Sequence, residues 1–237
     1  MKFSAKESEV PFSSHSMMIS STRRWWSKET VAVVTGANKG IGFAFAKRLA
    51  KEGLTVILTA RDFERGRRAA QELSAQGLHV HFLKLDVSDP SSINTFVSLF
   101  RMKFGALDIL VSCQLASIYE IDGVVSSFLE HVKKGTWESE GWPELWTDYA
   151  VSKLALNAYT RVLAKRLEGS NLSVNCFCPG FTQTSMTRGK GTHTADDAAN
   201  VGARLLLLPP EELPTGKIFL GGSSTTSSSA SVVNSKL

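Results

Sequence analysis

Between Thr30 and Glu52 the chain reads TVAVVTGANKGIGFAFAKRLAKE: an apolar run, three glycines in close succession, then apolar positions at helical spacing. Few local patterns limit a fold so tightly. TVAVVT (Thr30–Thr35) reads as a strand buried on both faces, with a helix following from Gly40 to about Glu52. Gly36, Gly40 and Gly42 form a G-x-x-x-G-x-G spacing. Without side chains the backbone can turn tightly and come close to an anion. The helix N-terminus then offers free N–H groups and the positive end of its dipole. The spacing differs from the G-x-G-x-x-G fingerprint. Its place between a strand and a helix still favours a dinucleotide pyrophosphate over a plain turn.

The same alternation continues. Leu54–Ala60 is a second strand, and Asp62 can cap a helix running towards Gln76. His79–Val87 is a third strand. The helix after Asp89-Pro90 gathers Ile93, Phe96, Val97 and Phe100 on one face. Leu107–Val111 is a fourth strand. A helix near Gly123–Lys134, a turn at EGWPE and a long helix from about Glu144 to Leu167 follow. Leu172–Cys178 is another strand. Thr194 and Asp197 form a capping box for the last helix, Pro209-Pro210 stops it, and Gly216–Gly221 is a closing strand. The order implies an α/β fold with a Rossmann-like, doubly wound parallel sheet.

Which dinucleotide is bound depends on the end of the second strand. An acid there would bind ribose hydroxyls and repel a 2′-phosphate. The chain has Ala60-Arg61 instead, and Asp62 falls where a helix cap is needed. Arg61 can fork onto a 2′-phosphate, and Lys39 in the glycine loop adds a second cation, so the reading is NADP(H). Asp86, after the third strand, either accepts from the adenine amine or caps the next helix.

Tyr149 and Lys153 lie four residues apart within the long helix, one turn apart on one face. A phenol, with pKa about 10, is a poor acid–base group at neutral pH. A neighbouring ammonium stabilises phenolate and lowers that value. Tyr149 could then protonate a carbonyl oxygen as hydride arrives, and Lys153 could also hold the nicotinamide ribose. Alone, Tyr-x-x-x-Lys is a common surface pair; the upstream glycine loop gives it meaning.

Composition narrows the partners. The formal net charge is +5, with basic and acidic residues intermixed and no long single-sign run, which speaks against nucleic acid. The three cysteines, Cys113, Cys176 and Cys178, form no disulfide framework, and Cys176 and Cys178 lack the further ligands zinc needs, so no metal is expected. No apolar run is long enough for a membrane span. These features suit a reducing, cytoplasmic setting. The serine-rich start leaves a chloroplast transit peptide as the alternative, against which Glu7 and Glu9 count. Residues 1–28 are expected as a disordered extension, 29–222 as the folded domain and 223–237 as a flexible Ser-rich tail.

Taken together, TGANKGIG, LTARD, LDVSDP, GWPELWTDYAVSKLALNAYTRVLAK and VNCFCPGFTQTSM resemble the short-chain dehydrogenase/reductase family. The likeness is greatest to plant monomeric carbonyl reductases of the menthone and salutaridine reductase type. It covers about Trp25 to Leu220. It implies that Gly36, Asn38, Lys39, Gly40, Ile41 and Gly42 bind the cofactor phosphates and ribose, and that Arg61 holds the 2′-phosphate. Asp86 and Val87 would lie at the adenine, and Pro179, Gly180 and Thr184 at the nicotinamide end. Tyr149 would be the acid–base residue and Lys153 its partner. The implied substrate is a small carbonyl or alcohol. The extra helix before the Tyr-x-x-x-Lys helix would cover the usual dimer face, implying a monomer.

Two departures stand out. Where the family has an Asn-Asn-Ala-Gly motif after the fourth strand, this chain has Ser112-Cys113-Gln114-Leu115. The family's next helix, with its active-site Asn, and its fifth strand, ending in the catalytic Ser, have no match. One central strand–helix unit is therefore expected to be missing. VVSS (Val124–Ser127) imitates the end of a catalytic strand, but FLEHVKKG after it continues helically. Ser126 and Ser127 are read as helical. A missing strand leaves its neighbours' backbone groups unpaired, and the late strand Leu172–Cys178 could move over to pair with the fourth. Its attached helix would shift by about 4.8 Å, carrying Tyr149 out of place.

Overall fold

The computed structural model describes residues 24–112, 119–141, 147–221 and 230–233. They divide into two compact units. Of the described residues, the first holds 24–112, 177–213, 218–221 and 230–233; the second holds 119–141, 147–176 and 214–217.

In the first unit, strands β1 (Val31–Val34), β2 (Thr55–Ala60), β3 (Val80–Lys84) and β4 (Ile109–Val111) form one sheet in the order β3-β2-β1-β4. All three pairings are parallel, with Val33 beside Ile57 and Leu110. β1 has no polar residue because both its faces are covered. On one face Ala32, Val34, Val56 and Leu58 meet helices α1 (Gly40–Lys51), α2 (Phe63–Ala75) and the last helix, α6 (Ala195–Leu206). On the other, Val33, Ile57 and Leu83 meet Phe100 of α3 (Pro90–Phe104). Helices on both faces make the sheet doubly wound, as the alternation implies.

Small residues set how closely these layers approach. α6 buries Ala198, Ala199, Gly202 and Ala203. A Cβ on Gly202 would run into the Phe45 ring of α1 and press on Phe177, and Phe45 and Phe177 themselves meet edge-on, 6.3 Å apart. Lys47 of α1 and Asp196 of α6 close the rim with an ion pair of 3.2 Å.

Several expectations need correction. β3 stops at Lys84, short of Val87, because the Leu85 N–H bonds back to Ala60 and Asp86 then opens a turn. Val97 stays exposed on α3 while Phe96 and Phe100 stack. The late strand, β5 (Cys176–Cys178), begins four residues after Leu172. It does not move over to β4. It joins β8 (Ile218–Gly221) and β9 (Ala230–Val233) in a separate sheet of order β5-β8-β9. Among the described residues β4 therefore ends the parallel sheet. β9 lies in the expected flexible tail. Its ASVV sequence supplies β-branched residues, and it pairs antiparallel with β8 from Ala230 opposite Gly221 to Val233 opposite Ile218. The expected extension also ends early: Trp26 is buried in the main core, and the Trp25 indole N–H donates to the Leu207 carbonyl.

The second unit is built on α4 (Tyr119–Lys134) and α5 (Thr147–Arg166). α4 starts earlier than the expected Gly123. The EGWPE turn lies partly outside the described residues. Val151, Ala155, Thr160 and Ala164 are buried along α5. Asn175 ties the chain leading into β5 to the Pro214–Lys217 segment: its Nδ2 donates to Pro214 O at 2.6 Å, and its Oδ1 accepts from Lys217 N at 3.0 Å.

Candidate active site

The carboxyl ends of the parallel strands are where open α/β sheets bind ligands. Here β1 ends in the loop 35–39. Gly36 sits at φ +61 and Gly40 at +59, both in the left-handed region. The Ala37 N–H donates to Thr59 O at 2.9 Å, pinning the loop to β2. Gly42 lies directly behind Gly36, and a Cβ there would stand 2.8 Å from the Gly36 carbonyl oxygen. The first turn of α1 has no acidic residue, and its N-cap, Lys39, makes no side-chain cap. A helix start with no cap, opened by glycines, leaves N–H donors for an anion. The cradle thus fits the pyrophosphate that its sequence implies. Asn38 is half-buried, Lys39 exposed and Ile41 half-buried within it.

Two further segments belong to this edge. Arg61 follows β2, exposed, with no ion pair within 4 Å among the described residues. Asp62 beside it accepts from Arg65 N at 2.8 Å and caps α2, as expected. After β3, Asp86 Oδ1 accepts from the Ser88 N–H and hydroxyl at 3.0 and 2.6 Å. These bonds hold its carboxyl below the usual range, with smaller help from Arg61 and Lys84. Asp86 thus shapes the turn, and the next residue but two, Asp89, is the cap of α3. Val87 is half-buried in the same turn.

The loop after β5 reaches the glycine cradle. Thr184 Cγ2 lies 3.8 Å from where a Gly40 Cβ would be. Pro179 and Gly180 open this loop, Gly180 at φ +74. Two short strands, β6 (Thr182–Gln183) and β7 (His193–Thr194), pair in parallel across its base. Sequence reasoning missed the residues that hold this edge together. Thr59, fully buried within β2, donates its hydroxyl to Val34 O of β1. Asp108 accepts from Val31 N at 2.7 Å. His193 bridges the base of the loop. Each is a polar residue at a strand end or inside a buried strand, which is the signal that could have flagged it.

In the second unit, α5 places Tyr149 and Lys153 one turn apart. The Lys153 ammonium lies 5.5 Å from the Tyr149 ring centroid, over its face. Tyr149 is 45% exposed and Lys153 half-buried. A cation over the face of an aromatic ring is attracted by the ring's negative face, which holds the two side chains together. Further along α5, Thr160 Oγ1 meets Cys176 Sγ at 2.9 Å, and burial pushes that thiol up. Ser126 and Ser127 lie within α4, on a helix and not at the end of a strand. Of the Ser112–Leu115 block, Ser112 follows β4 and the rest lies outside the described residues.

A family model described as short chain dehydrogenase matches residues 30–140 and 138–195. (+)-Neomenthol dehydrogenase of Arabidopsis thaliana is 30% identical over 284 residues, covering 79% of this chain and 95% of that protein. Carbonyl reductase [NADPH] 3 of Mus musculus is 29% identical over 256 residues, covering 76% and 92%. The structure of salutaridine reductase from Papaver somniferum aligns with TM-score 0.74 and 27% identity, covering 80% of this chain and 99% of that one. The Arabidopsis alignment has 284 positions, more than the 237 residues of this chain, yet takes in only 79% of it. About a third of its positions therefore face no residue here.

Proposed function

The chain belongs to the short chain dehydrogenase family, and from that premise we propose that it is an NADP(H)-dependent reductase of small ketones or aldehydes. The glycine cradle from Gly36 to Gly42, with Asn38 and Ile41, would receive the pyrophosphate on the open start of α1. Arg61 and Lys39 would take the 2′-phosphate, since each offers a cation at the cofactor edge that makes no ion pair within 4 Å among the described residues. Asp86 and Val87 would border the adenine, and Pro179, Gly180 and Thr184 the nicotinamide. The bound cofactor supplies the hydride. Tyr149 gives its phenolic proton to the carbonyl oxygen, and the Lys153 ammonium stabilises the phenolate left behind. A monomer carries all these groups.

The observation that carries this reading is the uncapped N-terminus of α1, with Gly42 packed on the Gly36 carbonyl. A specific observation also favours a second reading, in which the chain binds the cofactor without turning over. β4 ends at Val111, α4 begins at Tyr119, and Ser126 and Ser127 are helical, so among the described residues the family's catalytic serine has no counterpart at the end of a strand after β4. One experiment separates the two. NADPH is titrated into the chain with fluorescence as readout, then its oxidation is followed with a panel of small ketones. Binding with ketone-dependent oxidation supports the reductase. Binding without oxidation supports the second reading, and no binding overturns both.

A further inference from the structure

The base of the loop between β5 and α6, already paired through β6 and β7, is also bridged by one imidazole. His193 Nε2 bonds to the Pro179 carbonyl and lies 3.0 Å from Thr182 Oγ1; its Nδ1 lies 3.0 Å from Thr192 Oγ1. A carbonyl only accepts, so Nε2 carries a proton. The imidazole rests against Gly180: a Cβ there would stand 3.0 Å from His193 Cε1. A larger residue at Gly180 would force the ring away, beyond its need for positive φ. One ring therefore grips the residues that open the loop and the residue before those that close it.

The rest of the loop is knit to that base. Thr192 N donates to Phe181 O at 2.7 Å. Thr187 Oγ1 donates to Thr182 O at 2.9 Å and accepts from Thr184 N at 2.9 Å. Gly189 N donates to Thr184 O at 2.9 Å. Thr184, held from both sides, turns its methyl towards Gly40 of the cradle, 3.8 Å from where a Cβ on that glycine would stand. A path of hydrogen bonds thus runs from His193 through Thr182 and Thr187 to Thr184, which faces the first residue of α1. The capping box of α6 is made by Thr194 and Asp197 without His193, and the ring takes no part in the apolar cores.

We propose that His193 is a positioning residue for the cofactor: it braces the base of the 179–194 loop and so keeps Thr184 in place facing the glycine cradle. The proposal rests on the reading of that cradle as an NADP(H) site. His193→Ala removes the brace; His193→Gln keeps an N–H donor at similar reach from Pro179. The full chain and both variants are compared by amide hydrogen exchange across residues 181–190 without cofactor, by NADPH titration and by thermal melting. His193→Ala is expected to speed loop exchange and weaken NADPH binding about three- to tenfold, the size of one lost hydrogen bond. His193→Gln is expected to recover most of both, with melting points within about 2 °C of one another. Unchanged loop exchange in His193→Ala, or exchange that speeds up over the whole chain, overturns the proposal. Failure of the unaltered chain to bind NADPH overturns the cofactor site and with it this role. Binding by the unaltered chain that His193→Ala leaves intact overturns the role of His193 alone.

Discussion

β1 and α5 invite comparison, since each carries half of the candidate chemistry. β1 is buried along its whole length, between β2 and β4 in the sheet, with α1 and the late helix α6 on one face and α3 on the other. α5 has its apolar residues spread around it, buries Val151, Ala155 and Ala164, and leaves Leu154 51% exposed. A helix apolar on several sides is suited to burial on several sides. The difference teaches that β1 is enclosed by elements gathered from both ends of the chain, while the Tyr–Lys helix keeps apolar surface exposed among the described residues.

The comparison breaks first at Tyr149. If the Tyr–Lys half works despite its exposed face, Tyr149→Phe lowers ketone-dependent NADPH oxidation by about 10²–10⁴-fold and leaves NADPH affinity unchanged. Steady-state rates beside a binding titration check this, and an unaffected rate removes Tyr149 from the mechanism. Stability provides the next test. Ile57→Ala, at a side chain with no exposed surface, should cost about 2–5 kcal/mol in chemical denaturation. Leu154→Ala should cost under about 0.5 kcal/mol; equal losses would show that α5 is packed as fully as β2. Arg61→Ala sharpens the account of the cofactor half. It should weaken NADPH by about ten- to a hundredfold with NADH affinity unaltered, and a matched loss of both would move the 2′-phosphate elsewhere.

The smallest effect is one of pH. Thr194 donates by hydroxyl and N–H to Asp197 and holds its carboxyl below the usual range. A depressed folded value stabilises the protein above the ordinary aspartate range, and that contribution fades as pH falls through the folded value. Asp197→Asn should therefore melt slightly below the unaltered chain at neutral pH and level with it in strong acid. A gap that persists in acid would assign the effect to something other than the charge.

Legibility followed the same divide. Thr30–Thr35, the Asp62 cap and the Thr194–Asp197 box could be read from a few neighbouring residues, because burial on both faces and helix capping are local demands. The Tyr149–Lys153 pair was also legible, since four-residue spacing fixes a shared helix face. The pairing of β5 was not. Leu172–Cys178 looks apolar enough for a longer strand, but which partner it takes depends on β8, some forty residues on, and on the Asn175 bonds to Pro214 and Lys217. β9 was hidden because ASVV sits in serine-rich sequence and gains its partner only through β8. His193 was hidden because its partners are carbonyls and hydroxyls of a loop whose shape no spacing rule gives. The helical setting of Ser126 and Ser127, by contrast, was legible, because FLEHVKKG after them continues at helical spacing.

β4, the last strand of the parallel sheet among the described residues, presents Leu110 at 55% exposure and one row of backbone N–H and C=O groups with no strand beside it. Such a rim is adhesive: another extended chain can dock on it by main-chain bonds alone. Its brevity, three residues, keeps the adhesion shallow. Crowding should therefore govern the behaviour of this protein in solution, with light scattering that rises with concentration and falls again on dilution.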